Sequence, residues 1–195
     1  MNTAYKWIHR VWYEDAASGW VLLPFSGLYW LLLKLRSLLF QYGVFRSFKA
    51  HAPVIVVGNI TAGGTGKTPT VIWLVNELRS KGFKPGIVSR GYGGSKSGAS
   101  MRVDADSAAA VVGDEPVLLA RRGQCPVVVD SDRVQAAAML VDDGVDVIVA
   151  DDGLQHLRLQ RDYEFCVIDG ERGLGNRRLL PAGPLRESPH RLSSV

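Results

Sequence analysis

Short apolar runs alternate with polar, helix-period segments along the chain after residue 50. The predicted strands are rich in β-branched residues and cover residues 53–57, 85–89, 126–130, 145–150 and 163–168. The predicted helices cover residues 68–81, 115–122 and 131–141, the last with Ser131 as its N-cap. Because the strands lack a polar face, the pattern predicts an α/β fold with a mostly parallel sheet and helices on both faces.

The first 50 residues have a different pattern. The segment from Ala16 to Leu33 contains no charged residue, and its length is at the lower limit for crossing a bilayer, about 17–25 residues. Trp20 and Trp30 suit the membrane–water interface. We expect residues 1–50 to be a helical membrane anchor that spans or lies on the bilayer. The alternative is a helical hairpin packed on its own domain.

Charge is distributed unevenly over the 195 residues. Residues 1–50 contain six Lys or Arg and two Asp or Glu, which accounts for the whole net charge of +4. The core, residues 51–195, is therefore neutral, and the pI of about 9.2 does not indicate a nucleic-acid-binding surface. The basic residues after the apolar run favour a core on the cytoplasmic side of the membrane.

Cys125 and Cys166 lie in apolar runs, so we expect buried, reduced thiols.

A glycine-rich segment, residues 58–68 (GNITAGGTGKT), follows the first predicted strand and precedes a helix. It matches the end of the pattern G-x-x-x-x-G-K-[ST], with Thr61 in place of the first glycine. We expect Lys67 to reach the β- and γ-phosphates of a nucleotide and Thr68 to bind Mg²⁺. The predicted nucleotide-binding residues are Thr61, Ala62, Gly63, Gly64, Thr65, Gly66, Lys67 and Thr68.

Two acidic residues, Asp151 and Asp152, follow the apolar strand predicted over residues 145–150. A carboxylate at the C-terminal end of such a strand lies at the ligand-binding edge of an open sheet and binds Mg²⁺ in many phosphate-binding folds. Residues 113–116 (GDEP) and 180–187 (LPAGPLRE) predict, by themselves, only a turn with a helix start and a rigid loop.

Five motifs in this order resemble the tetraacyldisaccharide 4'-kinase family of lipid A biosynthesis. They are residues 57–69, 89–94, 113–116, 151–156 and 180–187. The resemblance implies transfer of the γ-phosphate of ATP to the 4'-hydroxyl of a tetraacylated glucosamine disaccharide 1-phosphate. Such a lipid substrate lies in the inner membrane, which gives the anchor a purpose. Neither nucleic acid nor an obligate protein partner is expected.

The resemblance also implies roles for single residues. Lys67 stabilises the transferring phosphoryl group, and Asp114 is the catalytic base that accepts the proton of the sugar hydroxyl. His156 matches a position near the phosphates. The implied metal site consists of Thr68, Asp151, Asp152 and Glu187. Because family members continue past the equivalent of Val195 into a second subdomain that supplies a histidine, we expect this chain to be a fragment.

The alternative function is that of a membrane-associated P-loop ATPase of the switch or partitioning type, which is a regulator. Those proteins often carry a lysine early in the loop, where this sequence has Ala62. A GTPase would need an Asn-Lys-x-Asp motif, which the sequence does not contain. A non-catalytic lipid-binding module would leave the glycine-rich segment unexplained, so the sequence favours the kinase.

Overall fold

The computed structural model describes residues 3–14, 16–91 and 99–195, which group into two compact units. The first unit consists of the residues up to Phe45, Asn59–Thr65 and Ile168–Val195. The second unit consists of Arg46–Gly58 and Gly66–Val167. The division into an anchor over residues 1–50 and a core over residues 51–195 stays a prediction.

A six-stranded sheet forms the centre of the second unit. Its strands are β1 (Val54–Gly58), β2 (Pro85–Ser89), β3 (Met101–Arg102), β4 (Val127–Val129), β5 (Val147–Asp151) and β6 (Tyr163–Cys166). The order in the sheet is β3-β4-β2-β5-β1-β6, and every pair is parallel except β3 with β4. The prediction of a mostly parallel sheet is therefore confirmed.

Helices cover both faces of this sheet, as predicted. They are α3 (Lys67–Ser80), the single turn α4 (Ala109–Val112), α5 (Asp114–Gly123) and α6 (Arg133–Asp142). On one face, α3 and α5 pack Val71 and Leu119 against Ile87 and Val149. On the other face, the absence of a side chain at Gly86 lets Leu140 of α6 approach, because a Cβ there would lie 3.0 Å from Leu140 Cδ2.

Most predicted bounds differ from the observed ones by one or two residues, and two of these differences have identifiable reasons. The last strand ends at Cys166 and not at residue 168, because Cys166 pairs with Gly58, where its partner strand β1 also ends. The N-cap of α6 is Asp132 and not Ser131. The Asp132 carboxylate accepts the N–H of Val134 at 3.1 Å, whereas Ser131 Oγ donates to Asp130 Oδ1.

Two further differences from the prediction concern a short strand and the burial of the two cysteines. Strand β3 was not predicted, because two residues are too few to show any alternation of polar and apolar positions. Cys125 and Cys166 are both half-buried and not fully buried as expected.

The first unit contains the helices of the N-terminal segment. They are α1 (Thr3–Tyr13), a 3-10 helix (Ala17–Leu22) and α2 (Leu23–Gln41), and a second 3-10 helix lies at Pro189–Ser194. Helix α1 was not predicted, and its buried Val11 packs closely on Gly19. In the part of the chain that the structure describes, one helical segment, Ala17–Gln41, is long and apolar enough to cross a membrane, with a mean hydropathy of 1.3.

Candidate functional site

The loop between β1 and α3, residues 59–66, is called the phosphate loop below. The buried Asn59 shapes it from inside, because its Nδ2 donates to Thr65 Oγ1 at 3.0 Å and to the Gly63 carbonyl at 3.4 Å. Gly63 and Gly66 have φ values of 106° and 85°, in the left-handed region that favours glycine. Gly66 is the N-cap of α3, so the first turn of that helix presents backbone N–H groups to an anion.

The phosphate loop is also paired with a segment near the end of the chain. Thr61 is buried and forms an antiparallel bridge with Leu185. The Ala62 N–H donates to the Pro184 carbonyl at 2.7 Å, and the Arg186 N–H donates to the Ile60 carbonyl at 2.7 Å. Because the Ala62 amide is used in this way, Ala62 supports the shape of the loop through its main chain.

An arginine contacts the glycines of the same loop. Arg172 Nη2 donates to the Gly64 carbonyl, and the guanidinium is held by Asp169, with Nη2 2.8 Å from Asp169 Oδ2. These hydrogen bonds hold the pKa of the Asp169 carboxyl at about 2, below its ordinary value. The pair therefore stays charged at neutral pH, and Arg172 fixes the carbonyl of Gly64.

In the second unit, the structure brings Lys67 and the acidic pair together. Lys67 is the first residue of α3, and its Nζ lies 3.6 Å from Asp152 Oδ1. Asp151 is the last residue of β5, and Lys67 is among the charges that oppose the rise of its pKa. Thr68, also in the first turn of α3, is half-buried. The arrangement concentrates a cation and two carboxylates where a helix begins and a strand ends.

Asp151 is buried, with 3% of its surface exposed. Its Oδ2 accepts from Ser89 Oγ at 3.3 Å, but among the described residues Oδ1 has no hydrogen-bond partner. Burial, together with Glu115 and Asp152, raises the pKa of Asp151 to about 6. A buried carboxylate oxygen without a donor suits a cation as its partner.

Arg133 lies behind the acidic pair. It is 5% exposed, and its Nη2 donates to the backbone carbonyl of Asp151 at 2.9 Å. Burial lowers the pKa of Arg133, and the carboxylates of Asp152 and Asp151 oppose that shift. Its charge therefore offsets part of the repulsion between the two acids.

The turn that follows β5 presents the Asp152 side chain. Asp152 has a φ of 49°, which is unusual for a residue other than glycine. The next residue, Gly153, lies against β1, because a Cβ there would be 2.9 Å from Val56 Cγ1. Arg161 Nη2 donates to the carbonyl of His156 at 2.6 Å and to that of Gly153 at 3.4 Å. The half-buried His156 therefore contributes its main chain to the conformation of this turn.

The remaining predicted site residues are not joined to this cluster by the contacts described. Asp114 is exposed at the first residue of α5, whereas its neighbour Glu115 is close enough to raise the pKa of Asp151. Glu187 belongs to the first unit, where it pairs with Arg191 at 3.4 Å. The predicted motif over residues 89–94 is described only up to Gly91, and residues 92–94 lie outside the described part.

Sequence reasoning gave no role to four polar residues that affect the acidic pair or the turn after it, namely Ser89, Glu115, Arg133 and Arg161. Ser89 could have been found, because it ends a predicted parallel strand at the same sheet edge as Asp151. Arg133 and Arg161 carry no local signal, because an arginine at a helix start or after a turn is usually exposed.

The described residues offer few side chains that could bind a metal ion together. Over residues 3–14, 16–91 and 99–195, no group of three or more His, Cys, Asp or Glu side chains is arranged to hold a metal ion. Mg²⁺ commonly uses one or two carboxylates together with water and substrate phosphates. The Asp151 and Asp152 pair with Thr68 fits that pattern.

Comparisons with known proteins show the family of the chain. The family model for tetraacyldisaccharide-1-P 4'-kinase matches residues 18–195. The chain is 53% identical over 189 residues to a tetraacyldisaccharide 4'-kinase of Shewanella frigidimarina, covering 96% of this chain and 56% of that protein. It is 50% identical over 188 residues to the enzyme of the same name in Pasteurella multocida, covering 95% of this chain and 58% of that protein.

A solved structure is also similar. The crystal structure of LpxK from Aquifex aeolicus in complex with ATP aligns with a TM-score of 0.80 and 33% identity, over 91% of this chain and 56% of that one. The chain spans about half the length of the curated relatives that it matches. With the family model matching nearly all of it, the chain belongs to the tetraacyldisaccharide-1-P 4'-kinase family.

Proposed function

We propose that the protein containing this chain transfers the γ-phosphate of ATP to the 4'-hydroxyl of a tetraacylated glucosamine disaccharide 1-phosphate in lipid A biosynthesis. The observation that carries the proposal is the Lys67 ammonium, 3.6 Å from Asp152 at the start of the helix that follows the phosphate loop. Family membership supports the choice of acceptor, because the names of the relatives specify the 4'-position of a tetraacyldisaccharide.

ATP is the proposed nucleotide. Gly63, Gly64, Thr65 and Gly66 would hold its phosphates with backbone N–H groups, and Lys67 would neutralise the terminal phosphates. The complex of the Aquifex aeolicus relative with ATP supports this choice. In the absence of nucleotide, the Asp152 carboxylate provides the counter-charge for Lys67, and a phosphate group would compete for the same ammonium.

Mg²⁺ is the proposed metal, with Asp151, Asp152 and Thr68 as its protein ligands. The observation that fits it is Asp151 Oδ1, which has no hydrogen-bond partner within the described part of the chain, because a cation would supply that partner. When bound with ATP, Mg²⁺ neutralises charge on the phosphate oxygens. Glu187, the fourth predicted ligand, stays a prediction.

Asp114 is the proposed catalytic base. Its exposed position at the start of α5 would let its carboxylate meet a hydroxyl that arrives from a membrane lipid. The main task of the site is positioning and charge neutralisation, because phosphoryl transfer needs little covalent help from the protein. His156 is proposed to act by shaping the turn after Asp152.

The protein is proposed to bind the cytoplasmic face of the inner membrane through α2, lying on it rather than crossing it. Ser26 Oγ donates to the Leu179 carbonyl at 2.8 Å, and Tyr29 Oη donates to the Arg186 carbonyl at 3.0 Å. These bonds hold a loop with polar backbone groups against α2, and such a loop is unfavourable within hydrocarbon. The opposite side of α2 is exposed and apolar, which suits insertion to a shallow depth.

The test is a transfer assay with the full-length protein. ATP labelled at its γ-phosphate and the tetraacylated disaccharide 1-phosphate are supplied in detergent micelles with Mg²⁺. We expect label on the lipid, and none when the same lipid lacks the 4'-hydroxyl. Hydrolysis of ATP without labelled lipid would favour the regulatory ATPase. No observation in the fold or the site supports that alternative.

A further inference from the structure

The LPAGPLRE motif lies between helix α2 and the phosphate loop within the first unit, and only its last residue, the predicted metal ligand Glu187, has a part in the proposed reaction. We call residues 179–186 the bridging segment. Ala182, Gly183, Pro184 and Leu185 are buried in its centre. A Cβ at Gly183 would overlap the Asn176 side chain and the Arg178 carbonyl, so the segment is closely packed on its own loop.

On one side, the bridging segment is bonded to α2. The hydroxyl of Ser26 donates to the Leu179 carbonyl at 2.8 Å and accepts from the Ala182 N–H at 3.0 Å. Ser26 is 7% exposed, although it lies in a helix whose other side is apolar and exposed. Tyr29, about one turn later, donates from its hydroxyl to the Arg186 carbonyl at 3.0 Å.

On the other side, the same segment is bonded to the phosphate loop. Arg186 joins the two sides directly, because its carbonyl accepts from Tyr29 and its N–H donates to the Ile60 carbonyl at 2.7 Å. The Pro184 carbonyl accepts the Ala62 N–H at 2.7 Å, and Leu185 pairs with Thr61. Three consecutive residues of the loop are therefore held by a segment that α2 holds in turn.

We propose that Ser26 and Tyr29 are positioning residues for nucleotide binding. Through the bridging segment, their hydroxyl groups hold residues 60–62 in the conformation from which the phosphate loop binds phosphate. The inference rests on the proposed function, since it assumes that the loop binds ATP. It makes the apolar helix α2 a support of the nucleotide site as well as a membrane contact.

Conservative substitutions in the full-length protein test this inference. Ser26→Ala and Tyr29→Phe each remove one hydroxyl group and leave the apolar surface of α2 unchanged. We expect each to weaken ATP binding about threefold to tenfold, because Tyr29→Phe removes one hydrogen bond and Ser26→Ala removes two. The matched controls are Ser37→Ala on the exposed part of α2 and Tyr42→Phe, whose ring is 77% exposed. ATP affinity is measured by calorimetry and vesicle binding by flotation.

A second measurement does not depend on ATP. Hydrogen exchange at the Ala62 and Arg186 amides should be faster in Ser26→Ala and Tyr29→Phe, while the amides of β5 and the membrane affinity stay unchanged. If Ser26→Ala does not fold, Ser26→Cys replaces it, because the thiol has nearly the same shape and is a weaker donor.

The possible results are distinct. Unchanged ATP affinity and unchanged exchange at Ala62 in both variants would overturn the positioning role. Equal acceleration of exchange at the β5 amides would show a general loss of stability and would also overturn it. Failure of the wild-type protein to bind ATP would refute the proposed function, and the exchange data alone would then decide whether α2 holds the loop.

Discussion

The candidate site contains three neighbouring charged groups, those of Lys67, Asp151 and Asp152. The Lys67 ammonium lies 3.6 Å from the Asp152 carboxylate, and the neighbouring Asp151 is buried with one oxygen that receives no hydrogen bond from the residues described. Without a ligand, the ionised carboxylate of Asp151 lowers the stability of the folded state, because a buried charge needs a partner of opposite sign. Nucleotide and cation would supply that compensation, so the residues predict a site that is stabilised by its ligands.

Replacement of Lys67 by alanine tests the cation. We expect Lys67→Ala to lower phosphoryl transfer by about 10²-fold or more, because charge stabilisation of the transferring group is lost. The rate is measured with labelled ATP in the full-length protein, and the fold is checked by circular dichroism. Lys84→Ala is the matched control, because the hydrogen bonds described for Lys84 involve its main chain: its N–H donates to Asp146 Oδ1 and its carbonyl accepts from the Asp146 N–H. Wild-type turnover in Lys67→Ala would refute the assignment of the phosphate loop.

The two acidic motifs should give different kinetic signatures. Asp151→Asn should weaken the use of Mg²⁺-ATP, with partial rescue by higher Mg²⁺, because a metal ligand is weakened. Asp114→Asn should leave ATP binding near normal and lower kcat, because only proton acceptance in the transition state is lost. Initial rates over a range of Mg²⁺ and pH separate the two. An equal loss of nucleotide binding in both variants would exclude Asp114 as the base.

The pKa of Asp151 predicts a pH effect in the protein without metal. Burial raises this pKa from 3.8 to about 6, so the folded state binds the proton more tightly than the unfolded state. Protonated Asp151 therefore contributes up to about 3 kcal/mol to the free energy of unfolding. This contribution is fully present below about pH 4 and is lost as the pH rises through about 6. With chelator present, Asp151→Asn should therefore raise the melting temperature at about pH 8 and change it little at about pH 4.

Thermal unfolding at both pH values is the measurement, and added Mg²⁺ should narrow the difference at high pH. A variant that is no more stable than the wild type at about pH 8 would show that ionised Asp151 is not strained in the folded protein.

Sequence reasoning predicted the positions of Lys67 and Asp151 better than those of the residues that surround them. Lys67 and Asp151 follow from rules about helix starts and strand ends, which depend on local sequence. Arg133 reaches Asp151 from the start of another helix, and Glu115 affects its pKa from α5. Those relations depend on how elements pack, which is encoded over long separations and not in a motif.

At the scale of elements, the apolar strands were the most predictable part of the fold. Strand β2 has the predicted bounds, because its apolar run is limited by Lys84 and Arg90 and both faces of the sheet are covered. Helix α2 was harder, because it continues through Lys34 and Arg36 to Gln41. Its apolar content predicted a membrane contact, but the hydrogen bonds of Ser26 and Tyr29 could be seen only in the structure.

The exposed side of α2 predicts how the protein binds membranes. Phe25, Leu28 and Leu32 are each more than half exposed, and burying such side chains contributes about 1.5 to 3 kcal/mol each. Changing all three to serine should reduce vesicle binding by about 10²-fold or more, whereas high salt should not release the wild type. Flotation with anionic vesicles measures both effects.

The control for this triple variant is Trp73→Ser on α3, because Trp73 and Phe25 are both 59% exposed. Vesicle binding should be unchanged in the control. If the triple variant still floats with the vesicles, α2 is not the membrane contact.

At the scale of the whole molecule, the membrane contact and the nucleotide site are expected to depend on each other. Deletion of residues 1–50 removes Ser26 and Tyr29 together with the apolar surface of α2. We therefore expect the deletion to weaken ATP binding about threefold or more, in addition to raising the KM for the lipid. Calorimetry with ATP and kinetics in micelles measure the two effects. Unchanged ATP affinity after the deletion would separate the two functions.

The position of β5 in the sheet has a consequence for synthesis on the ribosome. Among the described strands, β1 pairs with β5 and β6 alone, and Val54 lies opposite Ile148, far later in the chain. Translation proceeds at about 5–20 residues per second, so β1 waits on the order of ten seconds for its first partner. During that interval, β1, which precedes the phosphate loop, has no neighbouring strand to pair with. Binding of nucleotide is therefore not expected to assist folding until β5, the strand that ends at Asp151, has emerged from the ribosome. Codon changes that slow translation between residues 58 and 147 should therefore lengthen the exposure of this apolar strand to chaperones and proteases.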